Sequence, residues 1–350
     1  MNGMTKTKLT AIDLFSGVGG LSCGLRQAKF KVLACVENNN LAASSYKMNH
    51  KEAVMYQEDI RKLSPRKMLN DLGLQPGDLD LLAGCPPCQG FSSHRTRNKK
   101  TSVRDSRNKL IYEFIRFAEV MKPKTIMIEN VPGLAKDNRI EKFKNKLIEL
   151  GYIFDERSIS VKDVSDYGVP QRRRRMILKV SKFGVIEDPE KVEEKRSVRD
   201  VIYNLKKPGQ SGDALHDLLE DRSHRIKELI KLIPKDGGSR EDLPRKYWLP
   251  CHIRYPEGYK DVYGRMAWKN VAPTITGGCV SPSKGRFLHP SQNRAITLRE
   301  AALLQTFPKN YKFSLEEGKH SAALMIGNAL PPEFIRKYAN AIKKHIEDAK

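Results

Sequence analysis

Two cysteines, Cys85 and Cys88, stand three residues apart in the run Leu81–Ser93, LLAGCPPCQGFSS. Such a pair can supply a nucleophile, half of a zinc site or a redox couple. Leu79, Leu81, Leu82 and Ala83 predict the end of a buried strand, and Gly84 to Ser93 can continue neither helix nor strand. Cys88 therefore falls where a strand gives way to a loop, the edge of an open α/β sheet at which ligands bind. A thiol held there attacks a substrate if its surroundings favour the thiolate. A structural zinc lacks its second half, because no further C-x-x-C or spaced histidine pair is present. A thioredoxin-type pair would open a helix directly, whereas Gln89 to Arg107 is polar, basic and without helical period. Cys85, nearer the strand, reads as a plain buried thiol.

Three acidic positions and an arginine run could accompany the nucleophile. Thr125 to Ile128 predicts a strand running into Glu129, just before a Pro-Gly turn. If buried there, the Glu129 carboxyl would rise in pKa and deliver a proton or hydrogen bond; the alternative is a strand-end acid facing solvent. Phe15 to Gly20 (FSGVGG) predicts a tight turn between a strand over Leu9–Leu14 and a helix over Leu21–Ala28, and Glu37 ends a second strand, 20 residues after Gly17. That spacing suits the ribose hydroxyls of a nucleoside cofactor, although Ser22 replaces the third glycine of a dinucleotide fingerprint. Asp59 and Ile60, at the expected end of a third strand, would offer an adenine an acceptor and an apolar face, or else Asp59 is an ordinary strand-end acid. In the extended segment Arg172–Arg175, Arg173 and Arg175 share one face and Arg172 and Arg174 the other.

The elements that must position these residues open with a β-α-β unit and continue as strands and helices up to about residue 180, an α/β pattern. Further helices are expected over Leu41–Met48, over Leu110–Met121 and up to Leu150, and the strand Met176–Val180 follows the arginines. From Ser181 the chain becomes charged and irregular, with one amphipathic helix within Leu218–Leu232 and both tryptophans, Trp248 and Trp268, expected to pack internally. Regular signals return after residue 290: Thr297 with Glu300 forms a capping box, and Pro332 opens a final helix. The composition divides the chain into 1–180, 181–290 and 291–350. Across its 350 residues, 64 Lys+Arg face 41 Asp+Glu, a formal charge of +23 that calls for a polyanionic partner, nucleic acid first. The run Arg95–Lys109 is the densest part, read either as a solvated loop or as a phosphate-binding one. No apolar run spans a bilayer, no secretory leader opens the sequence, and six scattered cysteines form no disulfide framework, so a cytoplasmic setting is expected.

DLFSGVGG at 13, GCPPCQGFS at 84, IENVPGL at 128, QRRRR at 171, TLREAALLQTFP at 297 and IGNALPP at 326 occur in that order. Together they resemble the DNA (cytosine-5)-methyltransferase family of bacterial and phage type, and APTIT at 272 and GRFLHP at 285 resemble its recognition-domain pattern. The resemblance implies a doubly wound, mostly parallel sheet of the S-adenosylmethionine-dependent type: residues 1–180 catalytic and cofactor-binding, 181–290 target-recognising, 291–350 helices completing the catalytic domain. It implies that S-adenosyl-L-methionine is held by Phe15, Ser16, Gly17, Gly19, Gly20, Leu21, Glu37, Asn38, Asp59, Ile60, Pro86, Asn328 and Ala329. Cys88 matches the nucleophile that adds to carbon 6 of a flipped cytosine, Glu129 the acid at N3, Arg175 the arginine at the base carbonyl and Arg173 its companion. Arg299 and Glu300 match a pair that orients the recognition domain. Double-stranded DNA is the implied partner, with Gln89, Ser92, Arg95, Arg97 and Gln171 as its contacts. No metal is implied, and a monomer with a separately encoded restriction endonuclease fits the setting. The competing readings are a cytosine-5 methyltransferase acting on RNA, against which Gln89 to Ser92 speak, and a non-catalytic DNA-binding relative.

Overall fold

The computed structural model describes residues 8–87, 110–218, 221–258 and 260–349; Cys88, Gln89, Ser92, Arg95 and Arg97 lie outside them. The described residues of Met1–Val164, Arg174–Lys191 and Pro332–Lys350 form one compact unit, and those of Ser165–Arg173 and Val192–Pro331 a second. Compactness thus divides the chain elsewhere than composition does. The arginine run is split between Arg173 and Arg174, residues 291–331 join the second unit, and only the last helix returns to the first.

The first unit is built on one seven-stranded sheet, β1 (Thr10–Leu14), β2 (Lys31–Val36), β3 (Val54–Tyr56), β4 (Leu81–Gly84), β5 (Thr125–Asn130), β6 (Ile159–Asp163) and β7 (Arg174–Ser181), in the order β3-β2-β1-β4-β5-β7-β6. β1 to β5 are parallel, and β7 runs antiparallel to both β5 and β6. This is the doubly wound, mostly parallel architecture expected. The strand order reverses between β1 and β4, and a crevice for ligand opens at the carboxyl ends of such a pair. Connecting helices are α1 (Gly20–Gln27), α2 (Asn40–Asn49), α3 (Pro65–Leu72), α4 (Leu110–Met121) and α5 (Asn138–Glu149). Their ends follow local chemistry: Asn39 caps α2 by accepting from the Ala42 N–H at 2.9 Å, and Ser64 caps α3 ahead of Pro65. α4 buries Phe114, Phe117, Ala118 and Met121 against Ile12, Leu14, Leu82, Ile126 and Ile128 of the sheet. β3 ends at Tyr56, earlier than the sequence suggested, so Asp59 sits in a turn, while β5 continues to Asn130 and includes Glu129.

The second unit has little regular structure beyond α6 (His224–Leu232), α7 (Leu298–Leu304) and α8 (Gly318–Asn328). Buried arginines bind its loops together. Arg265, fully buried, donates to the carbonyls of Ile230, Ile233, His289 and Gln292 at 2.6 to 3.1 Å. The capping box of α7 forms as expected, and Glu300 also receives both ends of the Arg294 fork at 2.6 and 2.7 Å. Arg299 reaches Asp213 and the Tyr311 carbonyl.

α9 (Pro332–Asp348) closes the first unit. It packs on α1 so tightly that a β-carbon at Gly24 would lie 2.5 Å from the Pro332 carbonyl oxygen and 2.6 Å from the Ile335 Cβ. α1 itself begins at Gly19, which has no side chain to cap it. Asp13 of β1 does this from below, accepting from the Ser22 N–H at 3.1 Å and the Ser22 hydroxyl at 2.6 Å, with Tyr46 Oη 2.8 Å from that hydroxyl. Asp13 is fully buried, and burial lifts its pKa from 3.8 to about 7.

None of the described helices is long and apolar enough to cross a membrane. Two measurements test the α1 frame. Gly24→Ala should destabilise the protein by about 1–3 kcal/mol through overpacking, read as a lowered denaturation midpoint. Because the folded state holds the Asp13 proton more tightly than the unfolded one, stability should fall as pH rises from about 4 to about 7 and level off above. Asp13→Asn should lack that component of the slope in thermal unfolding scans.

Candidate active site

The carboxyl edge of β1, β2, β4 and β5 carries Phe15 to Gly20, Glu37, Pro86 and Glu129. β1 leaves the sheet through Phe15, whose φ of 62° is unusual for a large side chain, and Gly17 and Gly19 follow at φ 54° and 92°. No atom lies within 4 Å of a β-carbon built on Gly17, so its glycine is required by backbone conformation alone. The loop is tied to β2 by the Ser16 N–H donating to the Val36 carbonyl at 3.0 Å and the Gly17 N–H donating to Glu37 Oε2 at 2.8 Å. Glu37 Oε1 accepts from the Asn39 N–H at 2.8 Å; burial raises the Glu37 pKa, opposed by these backbone donors.

Asp59 and Ile60 follow the end of β3 in a turn. Arg61 grips the Asp59 carboxylate through Nε at 2.9 and 3.0 Å, and this partner lowers its pKa to about 2. Ile60 is buried within the core cluster. Their turn is held by Arg116 of α4, which donates to the carbonyls of Ile60 and Leu63 at 2.5 and 2.9 Å. The amphipathic pattern of α4 marked its apolar face and gave no sign of Arg116.

β4 approaches β1 so closely at Gly84 that a β-carbon there would stand 2.5 Å from the Leu14 carbonyl oxygen. The chain then passes through Cys85, Pro86 and Pro87, the described lead-in to Cys88. Burial, reinforced by the Glu129 carboxylate, pushes the Cys85 thiol well above its ordinary pKa, which keeps it protonated. Asn130 at the end of β5 donates from Nδ2 to the Pro86 carbonyl at 2.8 Å. Next to it Glu129 is buried, with Arg175 Nε of β7 2.7 Å from its Oε1. The pair is screened from solvent, its side chains 8% and 16% exposed. Asn130 escaped the sequence reading; its place in Glu129-Asn130-Val131, before the turn, was the available signal.

The second unit holds the remaining candidates. Gln171 is fully buried, donating to Gln305 Oε1 at 2.8 Å and accepting from the Ile275 N–H at 2.8 Å. The expectation of a DNA contact meets a side chain whose amide is engaged inside the unit. Arg173 is also buried, donating from Nη1 to the carbonyls of Ile275 and Gly327 at 2.9 and 3.0 Å. A β-carbon at Gly327 would stand 2.1 Å from the Thr276 carbonyl carbon, so this corner tolerates no side chain. Asn328 is exposed at the end of α8 and Ala329 buried beside it. The alternation read from the arginine run holds in burial: Arg172 and Arg174 are exposed, Arg173 buried and Arg175 half-buried.

The loop after β1 and the end of β2 fit an adenosyl group. Glu37 is a half-buried carboxylate oriented by two backbone donors, with lone pairs remaining for ribose hydroxyls, and the space at Gly17 is clear.

The sequence pattern of the C-5 cytosine-specific DNA methylase family matches residues 9–344. Among curated proteins, the chain is 38% identical over 348 residues to the type II methylase M.HgiDII of Herpetosiphon aurantiacus, covering 96% of this chain and 95% of that protein. It is 33% identical to the type II methyltransferase M1.HphI of Haemophilus parahaemolyticus over 96% of this chain and 87% of the relative. A similar fold occurs in the methyltransferase EhMeth of Entamoeba histolytica, at a TM-score of 0.64 and 18% identity, with 97% of this chain and 99% of that one covered. The chain belongs to the C-5 cytosine-specific DNA methylase family, whose methyl donor is S-adenosyl-L-methionine.

Proposed function

We propose that this family member methylates carbon 5 of a cytosine flipped out of duplex DNA, with Cys88 as the covalent nucleophile and Glu129 as its acid partner. The single observation that carries the reading is the end of β5: Glu129 is fixed by Arg175 at 2.7 Å while the adjacent Asn130 holds the Pro86 carbonyl, two residues before Cys88. The acid and the lead-in to the nucleophile are thereby tied to one strand terminus. Phe15, Ser16, Gly17, Gly19, Gly20, Leu21, Glu37, Asn38, Asp59, Ile60 and Pro86 would hold the cofactor on this unit, and Asn328 and Ala329 are the residues of the second unit matched to the same role. When bound, S-adenosyl-L-methionine supplies an electrophilic methyl group for carbon 5.

The chain's own residues make carbon 5 able to accept it. The Cys88 thiolate forms a bond to carbon 6, the electron pair of the 5,6 double bond shifts toward N3, and Glu129 gives N3 a proton or a strong hydrogen bond. Carbon 5 becomes enamine-like. After methylation its proton leaves to a base, the Cys88 bond to carbon 6 breaks, the double bond re-forms and Glu129 recovers its proton. Arg175 orients Glu129 and offers its remaining N–H groups to the base carbonyl. Flipping the base costs roughly a few kcal/mol, which contacts between the basic surface and DNA must offset. Relatives named as type II methyltransferases support a restriction–modification setting. A monomeric state, a cytoplasmic location and a separately encoded endonuclease complete the proposal.

Cys88→Ser should bind both cofactor and DNA yet lose methyl transfer, assayed with tritiated cofactor on plasmid DNA; substantial residual turnover would overturn the covalent route. Glu129→Gln should lower turnover about 100-fold or more while leaving DNA binding within a few-fold. Asn130→Ala, which frees the Pro86 carbonyl, should lower kcat more than it raises KM for DNA, and adduct formation with 5-fluorocytosine DNA should slow in parallel.

A further inference from the structure

The second unit carries an exposed basic stretch with no ion-pair partner among the described residues. Residues 244–255, PRKYWLPCHIRY, form two single helical turns, Arg245–Tyr247 and Pro250–Arg254. Arg245, Lys246 and Arg254 are exposed, and among the described residues none of them makes an ion pair. The stretch contains no acid, and its flanking acids are engaged elsewhere: Glu241 and Glu257 face Lys260, and Asp242 accepts from the Ser239 N–H. Interleaved with the cations are large apolar groups left open, Tyr247 41%, Ile253 53% and Tyr255 63% exposed. Lys246 lies over the Tyr247 ring at 5.0 Å and Arg254 over Tyr255 at 5.5 Å.

The stretch is also built to keep its shape. Arg240, fully buried, donates from Nη2 to the Gly258 carbonyl at 2.6 Å and lies 4.9 Å from the Trp248 ring centre, while Trp248 Nε1 donates to the Leu243 carbonyl at 3.0 Å. A buried guanidinium is costly, and here it clasps the chain immediately after the exposed stretch.

We propose that Arg245–Tyr255 is the segment of the second unit that reads the DNA target, a statement that rests on the methyltransferase reading above. Arg245 and Arg254 present the forked donors that pair with guanine in the major groove, Lys246 meets phosphate, and Tyr247, Ile253 and Tyr255 supply apolar contact to base edges such as the thymine methyl. Arg240 is the positioning residue beneath them.

The test uses full-length protein expressed in cells free of cytosine methylation, with 5-methylcytosine sequenced across a plasmid. The wild type should mark one short motif. Arg245→Gln/Arg254→Gln should mark sites differing from it by one base pair, the ratio of near-cognate to cognate methylation rising about 5- to 150-fold. Lys142→Ala/Lys344→Ala, two exposed lysines of the first unit, should keep the wild-type ratio. Arg240→Lys should relax the motif less than Arg240→Ala, and cofactor binding by isothermal titration should be unchanged in all variants. An unchanged motif in the double arginine variant, or a uniform fall at every site without relaxation, would overturn the assignment. Absence of methylcytosine from the wild type would overturn the methyltransferase reading itself and this one with it.

Discussion

The ion pair between Glu129 and Arg175 is the contact on which the proposed chemistry depends, and the sheet topology is what makes it available. β7 enters between β5 and β6 in the antiparallel sense, with Asn130 opposite Met176 and Glu129 opposite Ile177. That register brings Arg175 back past the carboxyl end of β5, so a cation from one strand meets an acid from its neighbour. With both side chains screened from water, removing either partner leaves an uncompensated buried charge, which is costlier than the net value of the pair. A parallel neighbour would have put its carboxyl end, not its beginning, at this edge.

Close backbone approach is the second constraint. Gly84 lies against the Leu14 carbonyl, and Gly24 against Pro332 and Ile335. At both positions the missing β-carbon lets strands or helices meet at distances that any side chain would prevent. Gly17 has a different reason, a left-handed φ in open space. The same residue type thus serves packing at two positions and backbone conformation at a third.

The two units solve stability in different ways. In the first, a buried sheet and its helices supply an apolar core, and the polar exceptions inside it, Asp13 with Ser22 and Tyr46, satisfy the uncapped start of α1. In the second, irregular loops expose many carbonyls inward, and Arg173, Arg240 and Arg265 collect them. A guanidinium with five donors suits that task, since it can bridge loops whose carbonyls follow no regular ladder. Part of the strongly basic composition is therefore internal scaffolding, and total charge overstates the surface offered to nucleic acid.

The sequence alone was enough for most of the sheet's strands, the longer amphipathic helices, the Thr297–Glu300 capping box and the order of motifs, because hydrophobic period, proline placement and side-chain capping are local properties; it left unread the helix Pro65–Leu72, the edge strand Ile159–Asp163 and the helix Gly318–Asn328. It also located Glu37 and Glu129 at strand ends and divided the arginine run into inward and outward faces. Tertiary structure decided what those residues touch. That Asp59 is held by Arg61, that Ile60 enters the core, that Gln171 and Arg173 brace loops, and that Asn130 holds Pro86 all depend on which groups the fold brings together. The boundary within the arginine run belongs to the same class. Spacing fixes the direction a side chain leaves its own backbone; the partner it meets comes from residues tens or hundreds of positions away, and only the packed chain specifies them.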